Sequence, residues 1–172
     1  MLRELLKQQP NEIALVPVID PEVLSAAMTA GVGSTINIDL GGKVDNLFSQ
    51  PVGVTAKVAA TSNGVIVNLA DRGICDLRRT ALLEVGNVKI IVLDHRSFAI
   101  NHPVLYMHLG LDVNAAKMVV LKTASNFQFF RPWCKAVIRV DSPGMTQSDL
   151  TAFKWKHLPR PIYPFDDLEN WR

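Results

Sequence analysis

The middle third of the chain alternates apolar and polar residues at a period of two, and that pattern restricts it to a sheet. Ser34 to Leu40 places Ile36, Ile38 and Leu40 on one face, and Val52 to Ala60 does the same with Val52, Val54, Ala56 and Val58. Gly41-Gly42-Lys43 breaks the first run. Ser62-Asn63-Gly64 is a hairpin turn, because Asn-Gly tolerates positive φ, and Val65 to Leu69 is expected to be the return strand. Thr80 to Val85 and Val88 to Leu93 predict a second hairpin across Gly86-Asn87. Together these runs read as an antiparallel meander.

The flanks differ. Leu2, Leu5 and Leu6 have helical spacing within residues 1 to 9, and Pro10-Asn11 ends that segment. Ile13 to Ile19 is apolar but contains Pro17, so an edge strand or an extended lead-in is expected. Asp20-Pro21-Glu22 is a strong helix start: Asp20 can cap, Pro21 fits the first helical position, and Glu22 suits the positive end of the dipole. Val23, Leu24, Ala27 and Met28 supply its buried face and Gly31 its C-cap, which predicts a helix from about residue 21 to 30. Later, Pro103 to Leu109 has helical spacing. Lys117 to Leu121 and Ala136 to Val140 read as short buried strands, and Phe127 to Lys135 as helical up to Pro132. Asp141-Ser142-Pro143-Gly144 is a turn. A proline-rich tail, residues 158–172, is expected to run extended over the surface and to dock through Ile162, Tyr163, Phe165 and Trp171. The fold class expected is α+β, a mixed α/β sandwich with a mixed, largely antiparallel sheet and a few flanking helices, in a single domain over residues 1–172.

Composition narrows the function classes. Of 172 residues 48% are hydrophobic and 20% charged, which suits a globular chain able to fold without disulfide or metal. Eighteen basic and 16 acidic residues leave a net charge of +2, too little to argue for nucleic acid or an anionic membrane. The basic clusters, Arg78-Arg79 and Lys154 to His157, read as solvated faces. Neither an 18-residue apolar run nor a signal-peptide stretch is present, so a cytoplasmic address is expected.

The residues with chemical potential are scattered. His95, His102, His108 and His157 form no H-E-x-x-H and no i, i+4 pair. Asp94 and His95 are adjacent, but on a strand neighbours point to opposite faces. No metal site and no catalytic residue is expected in this chain. Cys75 and Cys134 are isolated and read as small buried hydrophobes; an independent enzyme built on Cys134 is disfavoured because no catalytic constellation accompanies it. Gly41-Gly42-Lys43 is either a strand-ending turn or a backbone surface open to substrate, with Lys43 supplying positive charge. Lys122, Ser125 and Asn126 follow a buried apolar strand, where ligands collect in sheets of this kind, and Arg96 follows another. They could form a rim for a carboxylate or peptide carbonyl. Alternatively Ser125 or Asn126 caps a helix.

Several stretches, in order, resemble the C-terminal domain of the microcystinase C (MlrC)-like metallopeptidases. Asp20-Pro21-Glu22-Val23, Ala30-Gly31-Val32-Gly33 and Leu40-Gly41-Gly42-Lys43 are similar to that family's "DPEAV…AGVG…LGGK" run. Thr80 to Val88 resembles "TAVLRVGGV", Leu109 to Asp112 "LGID", and Lys122 to Phe127 "KSSxHF". Asp141 to Thr146 resembles "DAPGLT" and Arg160 to Pro164 "RPLWP". Asn126 and Gln128 stand where the family pattern has histidine and arginine.

The resemblance implies a part of a zinc-dependent peptidase or hydrolase named for degrading linearised microcystin. It implies that zinc and its ligands belong to an N-terminal domain absent here, in the same or a companion chain. This chain would pack on that domain and help form a peptide-binding cleft through Gly41, Gly42, Lys43, Arg96, Lys122, Ser125 and Asn126. A stand-alone, non-catalytic binding module is the alternative, and a homodimer is one assembly open to it.

Overall fold

The computed structural model describes residues 1–44, 47–69, 73–123, 125–142 and 149–168. It divides into two compact units, Met1–Ile138 and Arg139–Arg172. The first holds the helices α1 (Leu2–Gln8), α2 (Pro21–Ala30) and α3 (Val104–Met107). Its strands are β1 (Ala14–Ile19), β2 (Thr35–Leu40), β3 (Val52–Ser62), β4 (Ile66–Leu69), β5 (Gly73–Asp76), β6 (Thr80–Val85), β7 (Val88–Leu93) and β8 (Met118–Val119).

Six strands form one sheet in the order β2-β3-β6-β7-β1-β8. Three of its five pairings are antiparallel, and β1 lies parallel to both β7 and β8. This is the expected α+β class. Alternation works on both faces. Val16, Ala56, Val58, Ala81, Leu83, Val88, Ile90 and Val92 pack under α2 with Val23, Leu24 and Ala27, and α1 adds Leu2, Leu5 and Leu6. On the opposite face Leu15, Leu82, Ile91 and Leu93 pack with Leu105, Tyr106, Leu109 and Phe130. Burying each such Leu or Ile contributes about 1.5–3 kcal/mol, which makes β6, β7 and β1 the anchor of the unit.

Pro17 does not put β1 at an edge. The amides of Ala14 and Asp20 donate toward β7, to Asn87 and Leu93, whereas Leu15 faces β8 and accepts from Val120. Pro17 shares the parity of Leu15, so its missing N–H points to the side where β8 has already ended.

The expected return strand does not pair with β3. β3 pairs with β6 across a bulge at Val58/Ala60, and β4 pairs instead with β5 as a separate two-stranded sheet. The Ser62-Asn63-Gly64 turn exists, with the Gly64 amide on the Ser62 hydroxyl, but it leads into this side ribbon. The register puts Ile66 and Ile74 on one face of the ribbon, 72% and 79% exposed. The apolar run 117–121 yields only the two-residue strand β8, half exposed at the sheet edge. Residues 136–140 form no strand, and Ile138 is 82% exposed. The helix expected over 103–109 shortens to Val104–Met107, and the aromatic segment forms a 3-10 turn, Asn126–Phe130.

In the second unit the aromatic rings of Phe153, Trp155 and Phe165 pack in series. Arg160 pairs with Asp166, and hydrogen bonds from its guanidinium and from the Ile162 amide hold the Asp166 carboxyl down at about 2. The tail expected to run extended therefore turns on itself at Ile162–Asp166, where Phe165 and Asp166 donate to the Ile162 carbonyl. Trp171, Pro143 and Gly144 lie outside the described residues.

His108 ties α3 to the sheet, its Nε2 lying 2.8 Å from the Thr80 hydroxyl. Burial pushes its pKa below the ordinary histidine value, against the opposite pull of the Leu105 and Val104 carbonyls. The unfolded chain thus takes up this proton more readily than the folded one, so His108 contributes stability above about pH 6.5 that is lost as pH falls. Urea denaturation is expected to show a lower midpoint at about pH 5.5 than at 7.5, and His108→Gln should flatten that dependence.

Candidate functional site at the carboxyl ends of the parallel strands

β1, β7 and β8 run parallel, so the residues that follow them gather along one margin of the sheet. In α/β sheets such margins collect ligands, because side chains from several strands converge there. Asp20 follows β1, Asp94, His95 and Arg96 follow β7, and Lys122 lies three residues past β8.

Asp20 is 2% exposed. Its Oδ1 accepts from the Val23 amide at 3.1 Å and from Lys43 Nζ at 3.2 Å, and its Oδ2 from the Gly41 amide at 2.9 Å. One carboxylate thus caps α2 and fastens the end of β2 to the end of β1. Lys43 also reaches Glu22 at 2.9 Å. Burial works against its charge, but the hydrogen bonds and charges of Glu22 and Asp20 outweigh it and raise its pKa. Gly41 and Gly42 both take φ of +67°. A Cβ on Gly42 would lie 2.3 Å from the Gln50 carbonyl carbon and 2.5 Å from Pro51 N. The glycine loop is therefore packed against its own chain, and Lys43 is engaged by two carboxylates. Asp20→Ala is expected to lose about 2–3 kcal/mol, by urea denaturation, through the lost cap and the orphaned Gly41 amide. Gly42→Ala should lose about 2 kcal/mol or more by the same measurement, from positive φ and overlap with residues 50–51.

At the end of β7 a second network forms. Asp94 Oδ2 accepts from Arg79 Nε at 3.2 Å and Nη2 at 3.1 Å, and its Oδ1 lies 2.8 Å from His95 Nδ1. Burial resists the Asp94 charge, yet hydrogen bonds from His95 and Arg79 prevail and hold its carboxyl below the usual range. The expectation that Asp94 and His95 diverge fails because β7 ends at Leu93. Past that point strand alternation no longer applies. Arg79, read as a solvated cation, is the third member. Adjacent acid and histidine just beyond a strand was the signal available for this group.

The other expected residues are not gathered with these. Arg96 and Lys122 are exposed and make no ion pair among the described residues. Ser125 is exposed and Asn126 half-buried; the amides of both donate to Thr123 Oγ1 at 3.3 and 3.0 Å. Thr123, not Ser125 or Asn126, is thus the side chain that caps the 126–130 turn. Neither cysteine is a buried hydrophobe. Cys75 is half-buried, its sulfur 3.9 Å from the Ser97 hydroxyl, and Cys134 is exposed, donating to the Ala136 carbonyl. His102 packs its ring on Phe129 at 5.2 Å, and its Nδ1 accepts from the Val104 amide. Among the described residues no three His, Cys, Asp or Glu side chains converge as a metal site would need. No helix among them is long and apolar enough to cross a membrane.

The family model described as "MlrC C-terminus" matches residues 1–157. The chain belongs to the MlrC C-terminus family. It is similar to Microcystinase C from Sphingomonas sp., 25% identical over 153 residues, which cover 88% of this chain and 29% of that relative. Its fold is also that of a crystal structure of a protein assigned as a metallopeptidase from Mesorhizobium sp. BNC1. That match has a TM-score of 0.80 and 24% identity, and it covers 99% of this chain but 34% of the other. The chain thus spans about a third of the length of these relatives.

Proposed function

We propose that this MlrC C-terminus domain serves a zinc-dependent, MlrC-like peptidase or hydrolase by packing on an N-terminal metal-binding domain and forming one wall of its peptide-binding cleft. The observation that carries this reading is the match of nearly the whole chain to about a third of Microcystinase C. In this reading the N-terminal domain supplies the metal and its ligands. The contribution of this domain is positional. Arg96 and Lys122 are exposed cations on the margin of the parallel strands, without an ion pair among the described residues, and are suited to orient a peptide carboxylate or carbonyl. Gly41, Gly42 and Lys43 shape that margin from behind through Asp20. Exposed apolar residues of the first unit, Val44, Ile66, Ile74 and Ile138 among them, supply surface that a covering domain would bury. A cytoplasmic peptide pool and a linear substrate such as opened microcystin fit this reading.

A second reading, a binding module without the catalytic half, is favoured by Asn126 and Gln128, where the family pattern has histidine and arginine. A domain exchange separates the two. Microcystinase C whose own C-terminal domain is replaced by this chain is expected to hydrolyse a linear peptide well above the level of the enzyme truncated before that domain. A chimera that folds, binds zinc and remains as inactive as the truncated enzyme would leave only the binding module.

A further inference from the structure

We propose that His95 and Arg96 form a recognition site for the C-terminal end of a peptide, with His95 accepting the last amide N–H and Arg96 pairing with the terminal carboxylate. The inference deepens the cleft-wall reading and rests on it.

A carboxylate can only accept, so the 2.8 Å contact between Asp94 Oδ1 and His95 Nδ1 requires the imidazole proton to sit on Nδ1. In the neutral ring Nε2 is then an acceptor with its lone pair free. Nε2 has no hydrogen-bond partner among the described residues, and the His95 side chain is 20% exposed, so the ring is held in place but open at that atom.

The rest of the network holds this orientation. Asp94 divides its oxygens, Oδ1 to His95 and Oδ2 to both nitrogens of Arg79, and its side chain is 17% exposed. A staple between the residue before β6 and the residue after β7 needs only Arg79 and Asp94. The imidazole fills the other oxygen of that carboxylate, and the carboxylate in turn orients the ring.

An acceptor nitrogen asks for a donor, and the next residue supplies the complementary charge. Arg96 is exposed and unpaired among the described residues, and its planar guanidinium matches a carboxylate in a two-point contact. The last residue of a peptide carries both groups, its amide N–H and its terminal carboxylate, and the adjacent His95 and Arg96 offer one partner for each. Lys122 lies two strands away, roughly 10 Å across the sheet, and adds positive field rather than contact.

The test uses this chain alone, ¹⁵N-labelled, with trialanine and its C-terminal amide as probes. Long-range imidazole spectra are expected to show His95 protonated at Nδ1. Trialanine should move the His95 Nε2 and Arg96 Nε signals, and amidation should weaken that response about tenfold, the loss of one charged contact. His95→Gln and Arg96→Gln should each weaken it similarly while leaving the urea midpoint within error. A proton found on Nε2, no response to trialanine, or an equal response to the amide would each overturn the proposal. An active domain-exchange chimera together with an unresponsive His95 removes this inference alone; an inactive chimera with a responsive His95 removes the peptidase reading alone.

Discussion

The carboxylate of Asp20 is the interaction on which the arrangement of the first unit most depends. It is almost completely buried and bound by two backbone amides and one ammonium. A charge taken out of water is tolerated only when its acceptor sites are filled, so the three donors must stay where they are. They come from the first turn of α2 and from the loop after β2. Once Asp20 is placed, the helix start, the end of β1 and the end of β2 share one point in space. The two glycines that follow are consequences, since only positive φ and a missing Cβ let the loop close on residues 50–51.

That lock stands behind the margin where the parallel strands end. β7 is central, paired to β6 on one side and β1 on the other, with five of its six residues buried. A strand so fixed delivers Asp94, His95 and Arg96 from a rigid base. Site groups carried on rigid elements keep their orientation without a ligand, which lowers the ordering that binding must otherwise supply. The ribbon β4–β5 is the opposite case: two strands with Ile66 and Ile74 turned outward, on a scale that rarely holds by itself in water.

Local chemistry made much of this legible. Asp20-Pro21-Glu22 and Gly31 bound α2 at the residues where it begins and ends, because capping is settled within four residues. The hairpin β6–β7 followed from its apolar runs and Gly86, and the ordered family motifs pointed to the MlrC C-terminal domain that the comparisons establish. Apolar runs misled where no partner strand was available. Residues 136–140 have strand composition but lie exposed, and 117–121 finds backbone partners mainly along the short stretch of β1 at Ala14 and Leu15. The glycine-lysine loop was recognised from its residues, but that Asp20 holds Lys43 from 23 positions away was not legible in them.

What the sequence by itself determined is therefore short-range: which segments are strands or helices, where α2 is capped, and which family the motifs match. Each depends on side chains and backbone groups within a few positions of one another. Only the tertiary structure decided that β4 leaves the meander for a separate ribbon and that β1 enters the sheet interior despite Pro17. Only it joined Arg79, Asp94 and His95. Setting β1 between β7 and β8 joins residues such as Ala14 to the distant Val88 and Met118, and Arg79 reaches Asp94 from the far strand of a hairpin; no local pattern encodes which distant donor meets which acceptor.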